Sequence, residues 1–572
     1  MGISSKVAER PWIGWIDMTK KLAMFLLLGL LTLSPNGVAH GQQAPDLILF
    51  NGKIFTSDVE HPYVEALAIG GERIVATGDS SKIKALAGPH TKQIDLAGRT
   101  VIPGINDAHI HLEIKPAGSV ELQFEGPNPV WGQVKQAIIS AVAKAPKGTI
   151  VLGQIGPAIF FDETVNRDLL DQVAPEHPVI LTTFTGHASI LNSAALAKFG
   201  YTEHEKDPLG GRIERFADGR LTGVIREYAG FQFSRKLGEI TPDSDAKAEI
   251  NRTLVEAMRL GITSLQDMSG SMSPERCVEL FAGVPTPIRV RVIRMPGTTS
   301  NSRNSPEGRS LPTHPTTLVS VSGTKWLIDG VPLENTFESR HLDRTRPPRS
   351  VEEGMAELGM TFPEAELSKI LQEILKSNDQ LLLHVSGYPA PAAVLARMQA
   401  AGGKNVWYGK RVRFEHGDGL LPDLLPSVRE YGIVVVQNPA HLAVRAVLPQ
   451  LFHDKGLEKG QALASLLDAG IPVALGSDGQ MNPYLNIMFA STHPDRPSEA
   501  ITREQAVIAY TLTSAYAEFA EKDKGSLEPG KLADLSVLSR DIFSIPTAEL
   551  PKTQSVLTLV GGKTVYDAGV VH

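Results

Sequence analysis

Short apolar runs of strand length alternate with helical stretches along most of the 572-residue chain, and this alternation constrains the fold more than any single motif. The strand-like runs are Val179 to Thr183, Ile262 to Gln266, Ile288 to Ile293, Lys325 to Ile328, Leu381 to Val385, Val412 to Glu415, Ile433 to Gln437 and Val473 to Gly476. Helical periodicity recurs in Val130 to Ala145, Ala246 to Leu260, Pro363 to Ser377, Ala390 to Ala401 and Ala462 to Ala469. Such alternation over roughly 400 residues implies a parallel sheet covered by helices, either a closed (β/α)8 barrel or an open doubly wound sheet. No GxGxxG follows the first strand and no Walker-type loop occurs, which removes the usual evidence for a nucleotide crevice. The α/β fold expected is a (β/α)8 barrel.

Both ends of the chain read differently. Asp46 to Ser57 predicts strand, Asn51-Gly52 turn, strand, and Glu65 to Gly78 repeats the pattern around Gly70-Gly71. Gln93 to Arg99 adds a third short strand. At the far end Gly525 to Leu538 predicts a turn and a strand, and Ser555 to Tyr566 a hairpin around Gly561-Gly562. Residues 43–100 and 525–572 are therefore expected to pair as one composite β-sandwich, with residues 101–524 inserted as the barrel.

Residues 1–42 carry the order of a secretory signal peptide: Lys20-Lys21, the apolar run Leu22 to Leu33, then small residues up to Gly41. Cleavage is expected near Gly41 or Ala44, and Met18 competes with Met1 as the start. A spanning helix needs about 20 apolar residues, so the run predicts export to the periplasm or medium without a stable membrane span after cleavage. The net charge of −7 and the lack of a Lys/Arg run argue against a nucleic-acid partner and leave a small molecule as the expected one. Cys277 is the only cysteine, so neither a disulfide nor a Cys-rich zinc site is available.

Val101 to Leu112 (VIPGINDAHIHL) places His109 and His111 on one face of a strand, where two imidazoles can converge on one metal ion. Barrel catalytic residues stand at the C-terminal ends of strands, and other apolar runs end in His384, His416 and Asp478. Each alone suits a core histidine or a helix-capping aspartate; all five at corresponding strand ends point to one site.

The chain resembles the amidohydrolase superfamily, in its YtcJ-like branch (amidohydrolase family 3), over roughly residues 46–567. The resemblance rests on DAHIHL (107–112), GHASILNSAAL (186–196), GGRIERFADGRLTGVIRE (210–227), GITSLQDM (261–268), RFEHG (413–417), VALGSD (473–478) and GSLEPGKLADLSVL (525–538). It implies metal ligation by His109, His111, His384, His416 and Asp478, with Asp478 also the proton shuttle. It further implies one or two divalent ions, Zn²⁺ foremost, and a carboxylated Lys325 bridging them. Asp329, on the same strand face as Lys325, competes as an oxygen ligand. His187 and Asn192 match a substrate-side loop, although Asn192 could equally cap the helix from Ser193. His441 faces either substrate or solvent, and Glu227 and Asp267 read as structural or mouth-lining. The implied activity is hydrolysis of a C–N bond in an amide, N-acyl, N-formyl or cyclic amide compound. An ester or carbamate is the alternative target, and a non-catalytic ligand-binding or regulatory protein the alternative class. The sequences after His384 (VSGYPAP), Asp329-Gly330 (VPLENTFESRH) and Asp478 (GQMNP) depart from the family pattern, so the substrate is the least defined part.

Overall fold

The computed structural model describes residues 44–331, 355–356, 358–443 and 459–571. The expected signal peptide, residues 1–42, and nearly all of the VPLENTFESRH stretch lie outside those residues. Eight parallel strands form the central sheet: β1 (Ile105–Ile110), β2 (Ile262–Met268), β3 (Arg289–Arg294), β4 (Val319–Leu327), β5 (Leu381–Val385), β6 (Arg413–His416), β7 (Val434–Gln437) and β8 (Val473–Leu475). They are neighbours in chain order, as a (β/α)8 barrel requires. Seven junctions are ladders; the eighth is made just beyond β8, where the Asp478 N–H donates to His109 O at 2.9 Å and the Ser477 N–H to Asp107 Oδ1 at 2.9 Å.

The strands carry apolar side chains outward beneath amphipathic helices. Helix Glu364–Leu375 buries Leu367, Ile370, Leu371 and Ile374, the i, i+3, i+4, i+7 stripe of a helix lying on a sheet. Its first turn is acidic, with Glu364 and Glu366, which suits the positive end of the helix. The barrel interior contains a buried polar network. Arg291 donates to Gln266 and Gln380, and Arg413 donates to Glu415 and to Ala108 O at 2.7 Å.

The two ends of the chain form two packed sheets. Ala66–Gly70 pairs with Arg73–Gly78 and with Leu47–Phe50, which also pairs with Lys92–Asp95. In the second sheet, Lys53–Phe55 and Thr100–Pro103 from the N-terminal side join Leu535–Leu538, Ser555–Val560 and Lys563–Asp567 from the C-terminal side. Leu49, Leu67 and Ile94 of one sheet share a core with Ile54, Val101, Leu535 and Leu557 of the other. Val101–Pro103 thus belongs to this sandwich rather than to the barrel.

Two further expectations need correction. Asn51-Gly52 does not close a hairpin: Leu47–Phe50 and Lys53–Phe55 lie in different sheets, so the turn carries the chain from one layer to the other. Val179–Thr183 is not a barrel strand. It sits in a separate six-stranded sheet built from residues 120–227, between β1 and β2, with its own apolar core around Val151, Ile155, Leu170 and Leu181.

The β8–β1 junction leaves no room for a side chain at Gly476, where an added Cβ would stand 2.6 Å from His109 N and 2.5 Å from its Cβ. Gly476→Ala is expected to destabilise the protein by about 1–3 kcal/mol, the usual cost of overpacking, seen as a lower melting temperature.

Candidate metal centre

His109, at the end of β1, is fully buried. Its Nδ1 lies 2.7 Å from Glu415 Oε2 on β6, and Arg413 holds that carboxylate by donating from Nε at 2.8 Å and from Nη2 at 3.0 Å. His111 Nδ1 lies 3.0 Å from Met268 O at the end of β2. Both Nδ1 atoms therefore face acceptors and carry the proton, which leaves both Nε2 atoms as lone pairs. Those lone pairs face each other at 3.4 Å, and Asp478 Oδ1 lies 3.5 Å from one and 3.7 Å from the other. Three electron-rich atoms so close repel unless a cation lies between them. Ligands held about 2.0–2.2 Å from one tetrahedral ion stand roughly 3.3–3.6 Å apart, a range that holds two of these separations and falls 0.1 Å short of the third at 3.7 Å.

His416, at the end of β6, places its ring 5.0 Å from that of His109, centroid to centroid. His109, His416 and Asp478 each offer a ligand atom within 4.8 Å of the others. His416 Nδ1 lies 2.9 Å from Asn438 Oδ1, and Asn438 donates in turn to Gly476 O at 2.9 Å. His384, on β5, lies 4.5 Å from His416 ring to ring, and its Nδ1 is 2.8 Å from Asp329 Oδ1. Ordered acceptors behind each ring fix its orientation and its tautomer. Asp329 is accordingly not a competing ligand: one oxygen faces His384, and the other accepts the N–H groups of Ser386 and Gly387, both at 2.8 Å.

Lys325 lies near the C-terminal end of β4 with 1% exposure, and its Nζ is 3.0 Å from His109 Nε2. Burial brings its pKa down to about 8, so a neutral amine is accessible at mildly alkaline pH. Burial, followed by the charge of Lys325, keeps His109 well below the ordinary imidazole range and His111 at about 4. Burial likewise holds His384 at about 3 and His416 far below the usual value. Neutral imidazoles are the form that ligates metal. Burial would raise Asp478, but the surrounding histidines overcome it and keep its carboxylate well below the usual range. Burial would also lower His441, yet its contact with Asp478 at 3.4 Å takes it up to about 9.

Asp478 and His416 have φ of +36° and +66°, as does Glu227 at +52°, a region that residues with a Cβ occupy only under constraint. His187 comes from the inserted sheet. Its Nδ1 lies 2.7 Å from Glu227 Oε2, its O accepts the Glu227 N–H at 2.7 Å, and its ring is 5.2 Å from that of His384. Asn192 does not reach the site. Its Oδ1 accepts the N–H groups of Val179 and Ala195, and its Nδ2 donates to Ala174 O and His177 O. The bond from Ala195 caps the helix Ser193–Lys198 and the other three tie the side chain to Val179, Ala174 and His177, so no polar group is left for the site. Asp267 is structural too: it accepts the Leu112 N–H at 3.0 Å and faces Cys277 Sγ.

The residues behind the rings, Glu415, Arg413 and Asn438, had no role assigned from sequence. Arg413 and Glu415 share one face of an apolar strand with opposite charges, the pattern of a buried ion pair, and that signal could have found them.

A model of the amidohydrolase family matches residues 92–566. The chain belongs to the amidohydrolase family. Among its relatives, Protein LONG AFTER FAR-RED 3 of Arabidopsis thaliana is 28% identical, over 91% of both chains. An N-substituted formamide deformylase of Arthrobacter pascens is 26% identical over 92% of this chain and 99% of its own. The fold is shared with an uncharacterized metal-dependent hydrolase from Pyrococcus horikoshii OT3, with a TM-score of 0.65 at 18% identity over 88% of this chain and 99% of that one. Family membership and the converging His/Asp set make this amidohydrolase a metal-dependent hydrolase acting on carbon–nitrogen bonds.

Glu415→Gln keeps the shape but removes the anionic acceptor behind His109. Metal affinity of this amidohydrolase is expected to fall about 10- to 100-fold, measured by competition with a chromophoric chelator.

Proposed function

We propose that the protein is an exported amidohydrolase that hydrolyses the C–N bond of a small amide, an N-acyl or N-formyl compound or a cyclic amide. The observation that carries this reading is the convergence of His109 Nε2, His111 Nε2 and Asp478 Oδ1 at 3.4 to 3.7 Å. Those three residues would hold one Zn²⁺ ion. His384, His416 and Lys325, carboxylated on its buried amine, would complete the set and admit a second ion. When bound, a divalent ion supplies Lewis acidity, lowering the pKa of water to about 7 and polarising a carbonyl oxygen.

The chain's own residues then move the proton. Asp478, held ionised, takes a proton from water as the new C–O bond forms, and returns it to the nitrogen as the C–N bond breaks. The products are a carboxylic acid and an amine. Arg413, Glu415, Asp329 and Asn438 hold the rings in place, which keeps the donor set preorganised. His187, clamped by Glu227, and His441, on the loop after β7, flank the cluster and would contact the substrate. The N-substituted formamide deformylase relative supports N-formyl compounds as the first to try. Export rests on the Lys20-Lys21 pair and the apolar run that follows it.

Removing metal with a chelator is expected to abolish hydrolysis, and Zn²⁺ to restore it. Asp478→Asn is expected to keep most of the metal while kcat falls about 10²- to 10⁴-fold, the usual worth of a general acid–base group. A panel of formamides, N-acyl amino acids and cyclic imides, assayed on the mature protein, checks both; full turnover by the chelated enzyme or by that variant would sink the mechanism.

A further inference from the structure

We infer that Asp418 forms the subsite for the leaving amine, an inference that rests on the C–N hydrolysis proposed above. Asp418 follows His416 by two residues on the loop after β6 and is buried at 8% exposure. One carboxylate oxygen accepts from Ser386 Oγ at 3.2 Å. The other, Oδ1, has no hydrogen-bond partner, and neither has the buried Oε1 of Gln461, whose N–H donates to Asp418 O at 3.1 Å. A buried carboxylate oxygen left without a donor is costly, and a ligand that brings N–H groups would relieve it. Asp418, His416 and His441 each present a nitrogen or carboxylate oxygen within 4.8 Å of the others, so this acceptor group adjoins the metal centre directly.

The orientation of Asp478 says which part of the substrate comes here. Its Oδ1 faces His109 and His111, whereas its Oδ2 faces His441 at 3.4 Å and His416 at 3.7 Å, the two histidines grouped with Asp418. A nitrogen collecting its proton from Asp478 without entering the His109–His111 side must approach from the His441 side. The next carboxylate on that side is Asp418. Once the C–N bond breaks, the amine takes the proton of the carboxylic acid formed with it and, beside a carboxylate product, becomes an ammonium ion, the ligand that the Asp418 carboxylate accepts best. Asp418 thus receives the leaving group as it gains charge, and the product amine binds there after the acid has left.

The test uses the zinc-loaded protein and the amine released by whichever amide it hydrolyses. Inhibition by that amine is compared with inhibition by the alcohol of the same carbon skeleton. The amine is expected to bind about 10- to 100-fold more tightly than the alcohol, the range of a charge-assisted hydrogen bond, and the ratio to collapse towards one in Asp418→Asn. Equal inhibition by amine and alcohol in the unaltered protein overturns the subsite without any variant. A lower metal content in Asp418→Asn, with the ratio preserved, also overturns it, by making Asp418 a metal ligand instead. Loss of all amide hydrolysis by the unaltered, metal-loaded protein would instead remove the catalytic reading.

Discussion

The guanidinium of Arg413 is the hub on which the candidate metal centre is built. It is fully buried inside the barrel and reaches three strands: Ala108 O on β1, Gln266 on β2 and Glu415 on its own β6. A buried charge is tolerated when it is paired and hydrogen-bonded, and every nitrogen of Arg413 donates, in a geometry where the paired carboxylate also faces His109. The strand pairing, the buried ion pair and the first metal-facing imidazole are therefore one connected arrangement. The gain is direction: a ring that can swing would lose the lone-pair alignment on which cation binding depends.

The same logic runs around the ring of strands. Each inward histidine has an acceptor behind it, of four different kinds: a carboxylate paired with arginine, a backbone carbonyl, a carboxylate held by backbone amides, and an asparagine. The inner face is thereby filled with neutral, electron-rich atoms around an ionised Asp478. Among the described residues, two cationic side chains touch these ligand atoms: Lys325 reaches His109 Nε2 at 3.0 Å, and His441 lies 3.4 Å from Asp478 Oδ2. A site of this composition could hold a divalent metal by donors that are already aimed.

Much of this was legible in the sequence because it is local. Alternating strands and helices are written in apolar periodicity, and a histidine at the end of a strand stands out from the run before it. Pairing partners are not local. Val179–Thr183 has the same composition as a barrel strand, and only its neighbours place it in the inserted sheet. Asn51-Gly52 has the composition of a hairpin turn but serves as a crossing between layers. Strand alternation puts Arg413 and Glu415 on one face and would turn His416 away from it, yet the positive φ at His416 brings the ring back to the cluster. Backbone strain of that kind leaves no trace in residue type, and neither does the choice of Asn192 as a cap over a ligand.

The sandwich made from both chain ends carries a consequence for how the molecule comes into being. Val101 pairs with Val537, and the Gly104 N–H donates to Asp534 O, contacts that span roughly 430 residues of sequence. At ribosomal speeds of about 5–20 residues per second, strands made early wait on the order of half a minute or more for their partners. During that interval Thr100–Pro103 presents an open edge, the kind of surface that pairs with a wrong chain. Completion of the sandwich is thus a late event, and Thr100–Pro103, which leads into the barrel's first strand two residues after Pro103, is held on both edges only once Leu535–Leu538 has joined it.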